Sequence, residues 1–331
     1  RYDLILDKGG ALVWAVRIGG GSWDGGSGIA VDASGNVSIS GSTVSTSASN
    51  TPGGAGLLIL RGDDVGLVGG ARLLSSTDNA GSVAGFRIIA NGALSIDGSI
   101  VRATAGSTHP DLVTPPDSGI ALLRGSEGID ISNFSIVQAG TVGGSADGSD
   151  LQIDTNGGAP GIVDDVRIAE STIGTEALNG TGSAGSTSIS SSDSGSLILD
   201  GARIASNSSN AGSAGSVFLA SLAGVVELTD SLINSGLASL NPNAPGPGTP
   251  GLIDISGTQG LEIAGSTIST TSSGAIDAGS IELSAAGAAV SFSNSNAERI
   301  VSSAARLRSW YFGAVNIGNV LLGRRLSSSF I

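Results

Sequence analysis

The sequence contains no cysteine and no methionine, and in 331 residues it has one histidine, His109, and one lysine, Lys8. Without cysteine there is neither a disulfide framework nor a thiolate metal centre. Aromatic residues are only 3%, so any interior has to be built from Val, Ile, Leu and Ala. Charged residues are scarce at 13%, and they sum to −13. A balance that acidic disfavours nucleic acid and anionic membrane surfaces, which require a positive footprint, and leaves basic partners and divalent cations open. No apolar run reaches 18 residues, so no transmembrane segment is expected. There is no starting Met and no signal peptide, and the chain reads as a processed or excised segment whose targeting signal is unseen.

Glycine is abundant instead, at 54 residues, about twice the usual share of roughly 7%. Such a Gly- and Ser-rich composition suits a disordered chain, but a positive mean hydropathy of +0.27 and regularly placed aliphatics argue for a packed core.

Those aliphatics repeat. Residues 251–270, GLIDISGTQGLEIAGSTIST, place Ile253 and Ile255, Leu261 and Ile263, and Ile268 in three short period-2 stretches separated by Gly-containing corners. The same figure begins at Ile29, Leu58, Phe86, Ile120, Leu151, Thr187, Val217 and Ile281. Its third stretch is expected to put Val44, Leu73, Val101, Ile136, Ile173, Ile204, Ile233 and Ile268 inside, and the step to that residue from the second stretch is five almost everywhere. Insertions such as 109–119 and 240–251 fall after the third stretch. A fixed core with one elastic corner is the behaviour of a solenoid, in which each coil buries the apolar face that its neighbour cannot cover. The expected fold is all-β: a right-handed parallel β-helix of about nine coils over 28–296, an N-terminal hairpin or cap over 1–27, and a C-terminal cap or docking tail over 297–331.

The phrases NAGSAGSVFLASLAGVVELTDSLINS (210–235), GTPGLIDISGTQGLEIAGSTIST (248–270) and DAGSIELSAAGAAVSFSNS (277–295) resemble the repeat region of filamentous-haemagglutinin-like bacterial exoproteins secreted by the two-partner route. The resemblance covers roughly residues 28–297. It implies a right-handed β-helix, extracellular or outer-surface placement, and adhesive, biofilm or contact roles. The family's amino-terminal secretion domain is not recognisable in this chain. Residues 14–43 are also similar to a single β-propeller repeat, but one blade cannot close a propeller.

At the ends, 2–18 reads as a hairpin turning at Lys8-Gly9-Gly10. Asn296 is placed to cap a helix that stripes Ile300, Ala304, Leu307 and Tyr311 on one face. The tail from 299 carries five arginines and no acid. One reading makes it a cap against edge aggregation; the other makes Arg306, Arg308, Trp310, Tyr311, Phe312, Arg324 and Arg325 a self-association surface that docks on the acidic body of another copy.

Candidate chemistry is sparse. Asp63 with Asp64, Asp164 with Asp165, and Asp147, Asp150 and Asp154 are oxygen-ligand candidates for calcium, although none matches an EF-hand loop or the nonapeptide calcium repeat; no other cofactor is expected. Arg61-Gly62-Asp63 spells a cell-attachment tripeptide or a charged corner. Threonine-rich stretches at 43–46 and 267–270 would project hydroxyls, as an ice-binding face requires. A polysaccharide-degrading enzyme would need paired carboxylates and aromatic platforms, which spacing does not assign here, so no enzyme and no catalytic residue is expected. The expected role is a secreted structural or adhesive surface protein that self-associates, head to tail or laterally, into fibres or matrix. The alternatives are a monomeric carbohydrate-binding adhesin, meeting cell-surface glycans or proteins, and the β-helix enzyme.

Overall fold

The protein is described here from a computed structural model, which covers residues 29–31, 34–46, 55–77, 83–106, 118–144, 147–155, 164–180, 182–192, 194–210, 212–238, 248–272, 279–286, 290–293, 299–301, 304–307, 316–317 and 321–323. At 29–31, 77, 83–84, 118–120, 143–144, 179–180, 210, 238, 272, 292 and beyond 293 it is the course and pairing of the backbone that are described.

Three sheets, parallel except at the first strand of the second, wrap one interior and form a right-handed β-solenoid. The first sheet has nine strands, from Leu58–Gly62 to Ala304–Leu307. The second, of eleven, runs from Ile29–Val31 to Asn316–Ile317, and the third, of ten, from Thr43–Ser45 to Leu321–Gly323. Each winding contributes one strand to each sheet in turn. The seventh, for example, consists of Ile253–Gly257, Gly260–Ala264 and Thr267–Ser272, and every strand pairs with the equivalent strand of the windings before and after.

Alternation decides which side chains go in. Ile253, Ile255, Leu261, Ile263 and Ile268 are buried, as are Ile131 and Leu228. Along the stack, Leu60, Ile88, Leu123, Ile153, Ile189, Leu219, Ile255 and Leu283 form one continuous inward column, and all are 5% exposed or less. Burying each such side chain stabilises by roughly 1.5–3 kcal/mol.

The corner between the second and third sheets has a fixed backbone solution. Gly41, Gly69, Gly98, Asn133, Glu170, Gly201, Asp230 and Gly265 all have φ between 47° and 60°. This left-handed turn favours glycine, and the three other residue types show that the turn is imposed by the stack. The next inward position is a column of small buried residues: Ser42, Ala71, Ser99, Ser135, Ser171, Ala202, Ser231 and Ser266. Their hydroxyls satisfy backbone groups of the adjacent winding: Ser99 N–H donates to Ser135 Oγ (3.1 Å), Ser135 N–H to Ser171 Oγ (3.2 Å), and Ser231 N–H to Ser266 Oγ (3.0 Å).

Four features differ from the sequence expectation. Strand Ile29–Val31 folds back antiparallel on Val37–Ser40, so the first expected coil opens as a hairpin at the edge of the second sheet. Val137, fully buried, takes the inward place expected for Ile136, because the corner at Asn133 holds an extra residue, Phe134, also at positive φ (60°). In the same winding Ala121 and Leu123 are buried and the expected inward residue Leu122 is not: the run Ile120-Ala121-Leu122-Leu123 offers two apolar registers, and pairing with Phe86 and Ile88 selects one. Instead of a capping helix after Asn296, the backbone forms strands Arg299–Val301 and Ala304–Leu307, then Asn316–Ile317 and Leu321–Gly323, which continue the three sheets past 296. The expected hairpin over 2–18 lies outside the described residues.

Candidate functional site

Polar side chains concentrate at the corners and on the outward columns, so these are where chemistry would reside. The corner from first to second sheet holds Asp63 and Asp64 in one winding and, in the fourth, Asp154 at the end of its first strand with Asp164 and Asp165 entering the second. Asp147 and Asp150 precede the fourth winding's first strand, Leu151–Asp154.

These carboxylates are occupied by the stack itself. Asp64 Oδ1 accepts the Ala93 N–H (2.8 Å), Asp147 Oδ1 the Ser183 N–H (2.8 Å), Asp150 Oδ1 the Ser186 N–H (2.7 Å) and Asp165 Oδ1 the Ser196 N–H (2.7 Å). Asp63 Oδ1 accepts from Asn91 Nδ2 at 3.1 Å. In each case the donor belongs to the next winding. Serines continue the same columns: Ser183 Oγ accepts the Ser213 N–H, Ser213 Oγ the Thr249 N–H, and Ser196 Oγ the Val225 N–H. Asp154 is held by a bidentate Arg124 pair, Nε–Oδ1 2.5 Å and Nη2–Oδ2 2.9 Å, with Gln152 Nε2 donating to Oδ2 at 2.5 Å. The Asp154 hydrogen bond raises the Arg124 guanidinium still further above its ordinary value. Asp164 is fully buried; its Oδ2 accepts from Ser192 Oγ (3.0 Å), while Oδ1 has no partner among the described residues. No group of three or more His, Cys, Asp or Glu side chains converges on a cation position among the described residues.

The other sequence candidates are also drawn into the framework. Asp63 N–H donates to Gly35 O (3.1 Å) and Gly62 O accepts the Asn91 N–H (3.0 Å), so the Arg61-Gly62-Asp63 corner is stitched between two neighbours. Of the residues considered for an ice-binding array, Thr270 is fully buried and its hydroxyl donates to Gly279 O (2.8 Å), which removes it from any outward face. Arg306 sits in strand Ala304–Leu307, in backbone register with Glu282. Arg308, Trp310, Tyr311, Phe312, Arg324 and Arg325 lie outside the described residues.

Outward columns are what sequence reasoning missed. On the first sheet, Ile59, Arg87, Leu122, Gln152, Ser188, Phe218, Asp254 and Glu282 stand in one register column, one per winding over the first eight, and Arg306 continues the backbone register in the ninth. Ile59 is 52% exposed and Phe218 37%. Burial first, and then the neighbouring Glu282 charge, push the Asp254 carboxyl above its ordinary value. A signal was present in the sequence: 204–298 contains no Lys or Arg, whereas Arg61, Arg87 and Arg124 all fall in the first three windings.

Comparison with protein-family models, curated proteins and solved structures finds no match to this chain. No helix among the described residues is long and apolar enough to cross a membrane.

Proposed function

We propose that this chain is the structural rod of a secreted or outer-surface bacterial protein, of the filamentous-haemagglutinin-like kind that its repeat phrases resemble, and that it works by associating with copies of itself. The observation that carries this reading is the use made of the corner carboxylates. Asp64, Asp147, Asp150 and Asp165 each accept a backbone N–H of the next winding, so groups that would bind a ligand elsewhere serve here to hold the rod together. The insertions after the third sheet would be presented from one corner, and the basic, aromatic tail would supply an end contact.

Electron microscopy of the purified chain at several salt concentrations tests this. Nine windings at ~4.8 Å give a rod of about 43 Å, and the expected images show such rods joined into dimers or longer assemblies at low salt. Isolated particles at every salt concentration would contradict self-association, and glycan capture by those isolated particles would favour a monomeric adhesin.

A further inference from the structure

We propose that the outward face of the first sheet is a self-complementary docking surface on which a second copy of this chain lies antiparallel, related by a two-fold axis running along the strands between Gln152 and Ser188. The proposal rests on the self-association reading above and specifies the surface.

Neighbouring strands of both copies share the same ~4.8 Å spacing, so once two such faces meet, every winding of one meets a winding of the other. A two-fold axis along the strand direction keeps the outward column facing itself while reversing the order of windings. With the axis between the fourth strand of this sheet (Leu151–Asp154) and the fifth (Thr187–Ser191), the second winding faces the seventh and the third faces the sixth.

Under that operation the column matches itself. Arg87 faces Asp254, Leu122 faces Phe218, and Gln152 faces Ser188, each pair occurring twice. At the rim Ile59 faces Glu282, and Arg61, two residues along the same strand, brings a cation to that carboxylate. The only ion pair among the described residues is Arg124–Asp154, so Arg61, Arg87 and Asp254 have no ion-pair partner among those residues, while Glu282 stands in backbone register with Arg306 of the next winding. Asp254 and Glu282 are adjacent like charges, and a facing arginine relieves that repulsion. The reverse arrangement, with parallel rods, would set Asp254 on Asp254 and Arg87 on Arg87, so charge selects the antiparallel pair.

Size is adequate. Eight windings make a strip about 38 Å long, and four- to five-residue strands make it roughly 15 Å wide. That is about 600 Å² on each copy, or about 1,200 Å² in all, at the lower edge of specific interfaces. Exposed Phe218, facing Leu122, supplies the apolar anchor.

Sedimentation equilibrium of the full chain provides the test. Wild type is expected at twice the 32.1 kDa chain mass, dissociating as salt rises. Arg87→Glu and Asp254→Arg should each weaken the dimer at least about tenfold. The combined variant, which exchanges the two charges, should restore it, with an unchanged β-rich circular dichroism spectrum throughout. Because the chain lacks cysteine, Leu122→Cys chains mixed with Phe218→Cys chains should form a mixed disulfide that neither forms alone. An assembly indifferent to both charge variants, or a combined variant that stays dissociated, overturns this face and leaves self-association standing. Monomers at every salt concentration overturn both.

Discussion

Asp150 Oδ1 accepts the backbone N–H of Ser186, 36 residues further along the chain, at 2.7 Å. Because the bond joins one winding to the next, a side chain that looks like a ligand from the sequence is part of the framework. Asp150→Ala would leave that N–H without its partner and cost about 1–2 kcal/mol in urea unfolding. Asp150→Asn retains the acceptor oxygen and should cost far less. A calcium ligand would behave differently: Asn would be as harmful as Ala, and a chelator would lower the melting temperature. Neither is expected.

Glycine at the entry to the first sheet is required by space. A Cβ on Gly215 would lie 1.8 Å from Gly185 O, and one on Gly251 would lie 2.1 Å from Gly215 O. The repeated phrase Gly182-Ser183-Ala184-Gly185-Ser186 and Gly212-Ser213-Ala214-Gly215-Ser216 is the sequence trace of that close approach. Gly215→Ala should destabilise by about 1–3 kcal/mol or prevent folding. On Gly66 the nearest atom to an added Cβ is Val37 O at 4.0 Å, so Gly66→Ala is the control and should be neutral or slightly stabilising in the same denaturation experiment.

At the left-handed corner, Glu170 has φ 49° where most windings use glycine. Glu170→Gly should raise stability by about 0.5–1 kcal/mol, and Gly98→Ala, at φ 57°, should lower it by about 1–2 kcal/mol. Paired thermal melts decide both; a Glu170→Gly protein less stable than wild type would show that the glutamate side chain contributes more than its backbone costs.

Asp254 gives a pH signature. Its folded-state value lies above the ordinary one, through burial and then Glu282, so the carboxylate weighs against folding once it is charged. The associated stability is fully present below about pH 3.9, the ordinary carboxyl value, and is lost as pH rises through the raised value. Asp254→Asn should therefore melt higher than wild type at pH 7 and no differently at pH 3, measured in high salt to keep the chain monomeric. An equal gain at both pH values would contradict the charge origin.

Much of this architecture was legible in the amino acids because alternation with a fixed five-residue step leaves little freedom: Ile131, Leu228 and Ile255 are inside as read. Where the pattern is degenerate, it failed. Ile136 and Val137 are both aliphatic, and only the inserted Phe134 decides between them. Ile300, Ala304 and Leu307 fit a helical stripe, yet strand pairing sets Ile300 in register with Ile268 of the seventh winding and Leu307 with Leu283 of the eighth. The acids were read as ligands because an N–H about thirty residues away leaves no mark on local spacing. The outward column of the first sheet escaped notice because its members are separated by variable insertions and line up only once the windings are stacked.

The most direct test of the parallel stack is a set of spin-label distances on the otherwise cysteine-free chain, diluted with unlabelled protein. One label at Arg87 is paired in turn with a second at Phe218, Asp254 or Glu282, which stand four, five and six windings away in the first sheet. Equal increments of ~4.8 Å per winding predict backbone separations of about 19, 24 and 29 Å. Separations that do not rise by one strand spacing at each step would contradict the solenoid, and with it every claim made from its register.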